Sequence, residues 1–173
     1  MTETVSTVAR LRAATASDHD AVDAGFGRYD LSDTGEYRAF LVAHARALPA
    51  VEAWFKGIAG LAPVRSRRDA LAADLAALGE AMPVPMTFDV TPSAAAGWGA
   101  MYVVEGSRLG GIMLSRSVPE GLPSAYLGAK HLSGEWRALL AAIDAQPADE
   151  AWIAEAVAGA KAAFELYRRA PGA

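Results

Sequence analysis

The sequence predicts an all-α fold, a single-domain bundle of six or more helices. Alanine is abundant and β-branched residues are few, a composition that favours helix over sheet. Apolar residues recur every three or four positions along most of the chain, and no segment shows the alternation expected of a strand. Because 173 residues can bury one sizeable core, we expect residues 1–173 to form one domain with its core at about 8–168.

The first two predicted helices carry long apolar stripes. One spans roughly residues 4–23 and ends at the glycines that follow. The other begins after Asp33, which can cap it, with Glu36 three residues on as in a capping box. The first stripe contains Val8, Leu11, Thr15, His19, Val22 and Phe26. The second contains Tyr37, Phe40, Leu41, His44, Leu48, Val51, Trp54 and Phe55.

Four more helices are predicted in the rest of the chain. Ser66 can cap the third, and Gly79 lies just past its end. The fourth begins near Ser93, after a loop at residues 82–89. Two helices follow a second loop at residues 117–134, which has three glycines and two prolines. Their apolar residues are Trp136, Leu139, Leu140 and Ile143 in one, and Trp152, Ile153, Ala156, Val157, Phe164 and Tyr167 in the other.

Composition excludes several classes of function. A net charge of −4 gives no reason to expect a nucleic-acid partner. With no cysteine, the chain has no disulfide, thiolate metal site or cysteine nucleophile, which fits a cytoplasmic location. We predict no membrane span, since the most apolar run, residues 94–104, is too short, and no signal peptide, since the first ten residues are polar.

His19 is the first candidate for chemistry, because it lies on the apolar stripe of the first helix. Asp23 follows it by one turn and can orient the imidazole, which leaves the other ring nitrogen free as a ligand. Arg12 precedes it by two turns and can meet an anionic group. The alternative is an ordinary, partly buried histidine beside a surface ion pair.

Two other histidines are weaker candidates. His44 has no acidic residue one turn away, which is typical of a satisfied core histidine. His131 lies in a stretch rich in glycine and proline and is expected to be a solvated loop residue. The sequence lacks HExxH, the paired Glu-x-x-His of di-iron bundles and Gly-x-Ser-x-Gly, so it offers none of these established catalytic motifs.

The most specific motif is a glycine-rich stretch in the fourth helix, residues 102–111. Gly106, Gly110 and Gly111 lie within six residues, although each glycine in a helix costs about 1 kcal/mol relative to alanine. One explanation is a bare backbone that a flat ligand can approach closely. Another is a kink or a transition from helix to loop. A phosphate-binding loop is disfavoured, because no strand precedes the stretch and the Gly-Lys-Ser/Thr ending is absent.

The sequence resembles the haem oxygenases, in particular the compact bacterial type found beside bacteriophytochromes, over about residues 8–168. The residues that carry the resemblance are Leu-Arg-Ala-Ala-Thr at 11–15 before His19, Tyr-Val-Val-Glu-Gly-Ser-Arg-Leu-Gly-Gly at 102–111, and Trp136-Arg137 with Ala-Lys-Ala-Ala-Phe at 160–164. The resemblance implies a haem-oxygenase-like helical bundle whose kinked distal helix covers one haem face, with His19 on the other face.

The resemblance also implies the site residues and partners. The implied catalytic residues are His19, as the iron ligand, and Gly106, Ser107, Gly110 and Gly111 on the distal side. The implied haem contacts are Arg12, Asp23, Met101, Tyr102, Arg137 and Phe164. Haem would be both substrate and cofactor, oxidised with O₂ and electrons from a reductase to biliverdin, carbon monoxide and iron. A bacteriophytochrome is an implied recipient of the biliverdin.

Three positions depart from the pattern of the wider family: Ser107, Asp18, and Ile112, which stands where a glutamine is common. Ser107 stands where the animal-type enzymes carry an aspartate that orders water for proton delivery, so Glu105 and Arg108 become candidates for the proton route unless each only faces solvent. Asp18 precedes His19 where an apolar residue is usual. The sequence therefore leaves three hypotheses: an active haem oxygenase, a haem-binding relative without turnover, and a haem-free helical bundle that binds a partner.

Overall fold

The computed structural model describes residues 5–147 and 149–173, and these form α-helices without a strand, which confirms the predicted all-α fold. The helices are α1 (Thr7–Phe26), α2 (Thr34–Phe55), α3 (Arg68–Ala77), α4 (Ala94–Ser115), α5 (Glu135–Asp144) and α6 (Glu150–Arg169), with a 3₁₀ turn at Ala170–Gly172. Buried apolar side chains from all six α-helices form one cluster. Within the described ranges, no helix is long and apolar enough to cross a membrane.

Hydroxyl and carboxylate caps determine where most helices begin. Ser6, Asp33, Ser93 and Asp149 each accept a hydrogen bond from the backbone N–H three residues ahead. The Ser6 cap, which was not predicted, starts α1 at Thr7 rather than near residue 4. The helix then continues through Gly25, so its predicted end was too early.

Two predicted caps were wrong in detail. Glu36 does not complete a capping box with Asp33, because its carboxylate accepts from the backbone N–H of Asp30 at 2.6 Å. Ser66 does not cap α3, which begins at Arg68 with no side-chain cap. The hydroxyl of Ser66 accepts from the backbone N–H of Arg68 at 3.1 Å and donates to the buried carboxylate of Glu52 on α2, but the N-cap position of α3 is held by Arg67.

Backbone contact between α4 and α6 places the glycine-rich helix in the bundle. A Cβ on Gly99 would lie 1.8 Å from the carbonyl oxygen of Ala156, and a Cβ on Gly159 would lie 2.2 Å from that of Ala96. Both distances are far inside van der Waals contact, so only glycine fits at either position. The α6 helix also packs against α1, and it thereby joins the two helices that carry the predicted site.

The glycine-rich stretch does not end α4. The helix continues through Gly106, Gly110 and Gly111 to Ser115, so the predicted transition from helix to loop at the glycines was wrong. The kink stays a prediction.

Candidate active site

A cavity of about 350 Å³ lies among α1, α2, α4 and α6. The predicted site residues on its wall are Arg12, His19, Asp23, Tyr102, Gly106, Ser107, Gly110, Gly111 and Phe164. Further residues on the wall are Val22, Phe26, Phe40, His44, Arg67, Val103, Leu109, Leu114, Tyr126, Leu127, Trp136 and Tyr167. Residues from distant parts of the sequence therefore meet in one apolar cavity that contains a few polar groups.

His19 presents its ring to this cavity from α1. Its Nδ1 atom lies 3.4 Å from a carboxylate oxygen of Asp23 and 3.8 Å from one of Asp20. The ring meets Phe164 edge to face, with centroids 5.9 Å apart. Because both carboxylates approach Nδ1, Nε2 is the nitrogen available to a ligand in the cavity. The side chain is 59% exposed, so a ligand can reach it without rearrangement of the core.

Asp18, the unusual neighbour of His19, faces α6. Its Oδ2 atom is buried with no hydrogen-bond partner in the described part of the chain, and it lies 3.9 Å from the ammonium group of Lys161. Asp18 is absent from the wall of the cavity. Asp18 therefore contributes to the packing of α1 against α6 and does not contact a molecule in the cavity.

Met101 and Arg137, two predicted haem contacts, do not lie on the cavity wall. Met101 is fully buried and lines a second cavity of about 300 Å³ beside α2. Successive residues of a helix point about 100° apart, so Tyr102 can face the first cavity while Met101 faces away. The same geometry directs Trp136 of α5 towards the cavity and leaves Arg137 exposed. Of the two predicted basic contacts, only Arg12 reaches the wall.

Two glycines of α4 have no packing reason to be glycine. No described atom lies within 4 Å of the position that a Cβ on Gly110 would occupy. A Cβ on Gly106 would meet the edge of Trp136 at 3.4 Å, which is ordinary contact. Gly111 differs, because a Cβ there would press against the carbonyl oxygen of Leu127 at 3.1 Å. Gly106 and Gly110 therefore leave backbone without side chains at the cavity wall. Each lowers the stability of the helix relative to alanine, and packing within the protein does not require glycine at either position.

A buried arginine contributes a positive charge to the wall. The Arg67 guanidinium donates to the hydroxyl of Ser107 and to the carbonyl oxygen of Val104, each at 2.8 Å. The Ser107 hydroxyl itself donates to the Val104 carbonyl at 2.6 Å. Arg67 also lies 5.3 Å from the centre of the Tyr126 ring. Ser107 is therefore tied to a fixed cation beside the glycines.

His44 and two tyrosines continue this polar region. His44 Nδ1 lies 2.7 Å from the hydroxyl of Tyr126, which confirms a satisfied histidine, although the ring also lines the cavity. Burial, reinforced by the charge of Arg67, lowers the pKa of His44 to about 3, so the imidazole is neutral near pH 7. The hydroxyl of Tyr167 is buried with no partner in the described residues, and burial raises the pKa of this group well above its usual value.

Sequence reasoning missed Arg67, Tyr126 and Tyr167 as site residues. Arg67 lies in Arg65-Ser-Arg-Arg68, which has the polar composition of a solvated helix start. Its partners on α4 are 37 and 40 residues away in sequence, so only the tertiary fold brings them together. The one available signal was the position of Tyr167 on the apolar stripe of α6.

Glu105 and Arg108, on the side of α4 that faces away from the cavity, do not lie where the sequence predicted. Glu105 and Arg108 form a buried ion pair with 2.8 Å between Oε2 and Nε, so neither faces solvent, and neither lines the cavity. Because neither residue reaches the cavity, their predicted role in proton delivery has no support from the structure.

His131 is not the solvated loop residue that the sequence predicted, because its side chain is only 9% exposed and stacks on Trp136.

Comparison with known proteins identifies the family. No family model matches the sequence. The chain is 33% identical over 149 residues to the heme oxygenase of Xanthomonas campestris pv. campestris (strain 8004), an alignment that covers 78% of this chain and 88% of the relative. The structure matches the NO- and CO-bound heme oxygenase from Neisseria meningitidis with a TM-score of 0.79 and 26% identity, over 96% of this chain and 90% of that one.

The heme oxygenase from Leptospira interrogans shares the fold, with a TM-score of 0.72 and 20% identity over 96% of this chain and 98% of that one. The sequence match spans most of both chains, and the structural matches extend over nearly the whole fold. On this basis the chain belongs to the haem oxygenase family, among its bacterial members.

Proposed function

We propose that this protein is a haem oxygenase that binds haem between α1 and α4 and oxidises it to biliverdin, carbon monoxide and iron. One observation carries the proposal: Gly106 and Gly110 leave bare backbone on a cavity that His19 also lines. A flat, apolar molecule with a metal at its centre needs an imidazole on one face and space free of side chains on the other. The haem-free alternative offers no reason for this combination.

On the proximal side, His19 would supply Nε2 to the iron. Asp23, whose carboxylate lies 3.4 Å from Nδ1, would accept a hydrogen bond from Nδ1–H and so fix the tautomer that leaves Nε2 free. Phe164 would hold the imidazole plane through its edge-to-face contact. Arg12, at the wall two turns before His19, would pair with a haem propionate.

On the distal side, the α4 backbone would lie against the ring and the polar groups would serve the chemistry. Bound haem would supply the iron at which O₂, with electrons from an external donor, is activated to oxidise the porphyrin. The Arg67 and Ser107 pair offers a fixed cation and a hydroxyl beside the glycines. Beyond it, the Tyr126 hydroxyl and the neutral imidazole of His44 can hold water and pass protons to that side. We therefore propose that protons pass through the group formed by Arg67, Ser107, Tyr126 and His44, and not through Glu105 and Arg108.

The proposal requires O₂ and an electron-donating reductase as partners, because oxidation of haem to biliverdin consumes both O₂ and electrons. A cytoplasmic location and a bacteriophytochrome that receives biliverdin stay predictions from the sequence. Met101 and Arg137 are not included among the proposed haem contacts.

Haem titration tests the proposed function. We expect a Soret band that saturates at one haem per chain, and its conversion to a verdin absorption when ascorbate or a reductase is added. The His19→Ala variant should lose the histidine-ligated spectrum and regain it with added imidazole, whereas Ser17→Ala, an exposed change on the same helix, should behave as the wild type. A Soret band without verdin formation would indicate a haem-binding relative without turnover, and absence of the band would refute haem binding.

A further inference from the structure

Three aromatic rings form a stack that extends outward from the cavity wall. Trp136 lies between Tyr102 and His131, with ring centroids 6.0 Å and 5.3 Å away and an angle of 26° between planes in both pairs. Tyr102 and Trp136 also line the cavity, whereas His131 does not. The indole edge lies beside Gly106, 3.4 Å from the position of a Cβ on that glycine. Trp136 therefore borders the bare backbone against which a flat ligand would lie.

His131 is held at the back of this stack by a buried ion pair. Its Nε2 atom is buried, has no hydrogen-bond partner in the described residues and lies 3.6 Å from Oε2 of Glu105. Arg108 fixes that carboxylate through its Nε atom and also donates to the backbone carbonyls of Arg65 and Ala129. The imidazole is thus confined between an indole plane and a carboxylate that cannot move freely.

We propose that His131 is a positioning residue that fixes the plane of Trp136 and, through this indole, the rotational seating of haem in the cavity. The inference rests on the proposed function. A porphyrin can rotate about the bond from its iron to His19, and only lateral contacts at its rim resist that rotation. The indole edge, which lies beside Gly106, would be such a contact. The rotation would determine which meso carbon faces the polar region around Arg67. His131 would therefore influence which biliverdin isomer is formed.

Burial favours a neutral His131 ring near pH 7, whereas the charges around it oppose one another. Burial lowers the pKa of His131, and the positive charges of Arg108 and Arg67 lower it further, while Glu105 and Glu135 raise it. On acidification, the protonated ring would be drawn to Glu105 and would change the environment of Trp136. This response is measurable in the protein without haem.

The first experiment follows tryptophan fluorescence against pH in the haem-free protein. The difference between wild type and Trp136→Phe isolates the emission of Trp136, and we expect it to fall as pH drops below neutrality, because a protonated imidazole in contact quenches indole. The fall should vanish in His131→Phe, which keeps a ring in the stack but cannot titrate. A fall that persists in His131→Phe would show that His131 does not control the environment of Trp136 and would overturn the inference.

The second experiment measures the isomers of biliverdin formed by each variant. We expect His131→Ala to change the isomer ratio several-fold, and His131→Phe, which restores the stack, to return it towards the wild-type value. His131→Gln gives a second test if the alanine variant does not fold, and Leu132→Ala, at an exposed neighbour, is the control. An unchanged isomer ratio in active His131→Ala or His131→Gln enzyme overturns the inference about His131 and leaves the proposed function intact. Absence of biliverdin from the wild type overturns the proposed function and the inference with it.

Discussion

The guanidinium of Arg67 and the hydroxyl of Ser107 lie 2.8 Å apart at the wall of the cavity, and this bond joins the start of α3 to the glycine-rich helix. Arg67 is 3% exposed, so its charge is held in a medium that screens it weakly. The hydroxyl of Ser107 is thus supported by a buried cation. A change at either residue therefore removes the hydrogen bond between Arg67 and Ser107.

Replacement of Ser107 by alanine should destabilise the protein and slow turnover. The change removes a hydrogen bond to a charged donor in a buried setting, worth roughly 1–3 kcal/mol. We expect a loss of that size in urea denaturation, together with slower verdin formation and little change in haem affinity. Ser117→Ala, at an exposed hydroxyl in the turn after α4, is the matched control. Turnover at the wild-type rate in Ser107→Ala would remove this hydroxyl from the proposed proton route.

Gly110→Ala should increase stability and impair function. A Cβ at this position meets no described atom within 4 Å, so the helix should gain up to about 1 kcal/mol from the better helix former. The same methyl group would project from the backbone at the cavity wall and push a flat ligand away. Urea denaturation should therefore show a more stable protein, while haem titration shows weaker binding and Gly110→Val shows weaker binding still. Unimpaired haem affinity in the valine variant would mean that haem does not contact this part of α4.

Gly99→Ala should damage the fold rather than the site. Here the added methyl would lie 1.8 Å from the Ala156 carbonyl oxygen, so α4 and α6 would have to separate. Overpacking that forces backbone to move typically costs about 1–3 kcal/mol and occasionally more, and we expect the upper end here. Thermal unfolding should show a large fall in Tm, and Gly159→Ala should behave alike because it faces Ala96 in the same contact. A variant as stable as the wild type would contradict the close approach of the two helices.

Local pattern and resemblance predicted the parts of the site that lie along single helices. His19 and Asp23 share one face of α1, and the glycines share one stretch of α4, so their spacing made a function one of two explanations and the resemblance favoured it. Arg67 and His131 could not be predicted in this way. Each lies in a polar or glycine-rich segment whose composition indicates solvent, and each is buried by partners on α4 or α5 that only the folded chain supplies.

Acid should destabilise the protein through His44. Its pKa is 6.5 in the unfolded chain and about 3 in the folded one, so between these values the unfolded state binds more protons and stability rises with pH. The stabilisation is complete above about pH 6.5 and is lost as the pH falls towards 3, at up to about 1.4 kcal/mol per pH unit. Urea denaturation at a series of pH values measures this slope.

Variants of the two buried histidines separate their contributions to that slope. His44→Gln keeps a group that can bond to Tyr126 but cannot titrate, so its stability should depend less on pH between 3 and 6.5 than that of the wild type. His131→Phe should remove a smaller part of the same dependence, because burial lowers that pKa too. If His44→Gln retained the full wild-type slope, His44 would have to ionise in the folded state as easily as in the unfolded chain, which would contradict the lowered pKa of this ring in the folded protein.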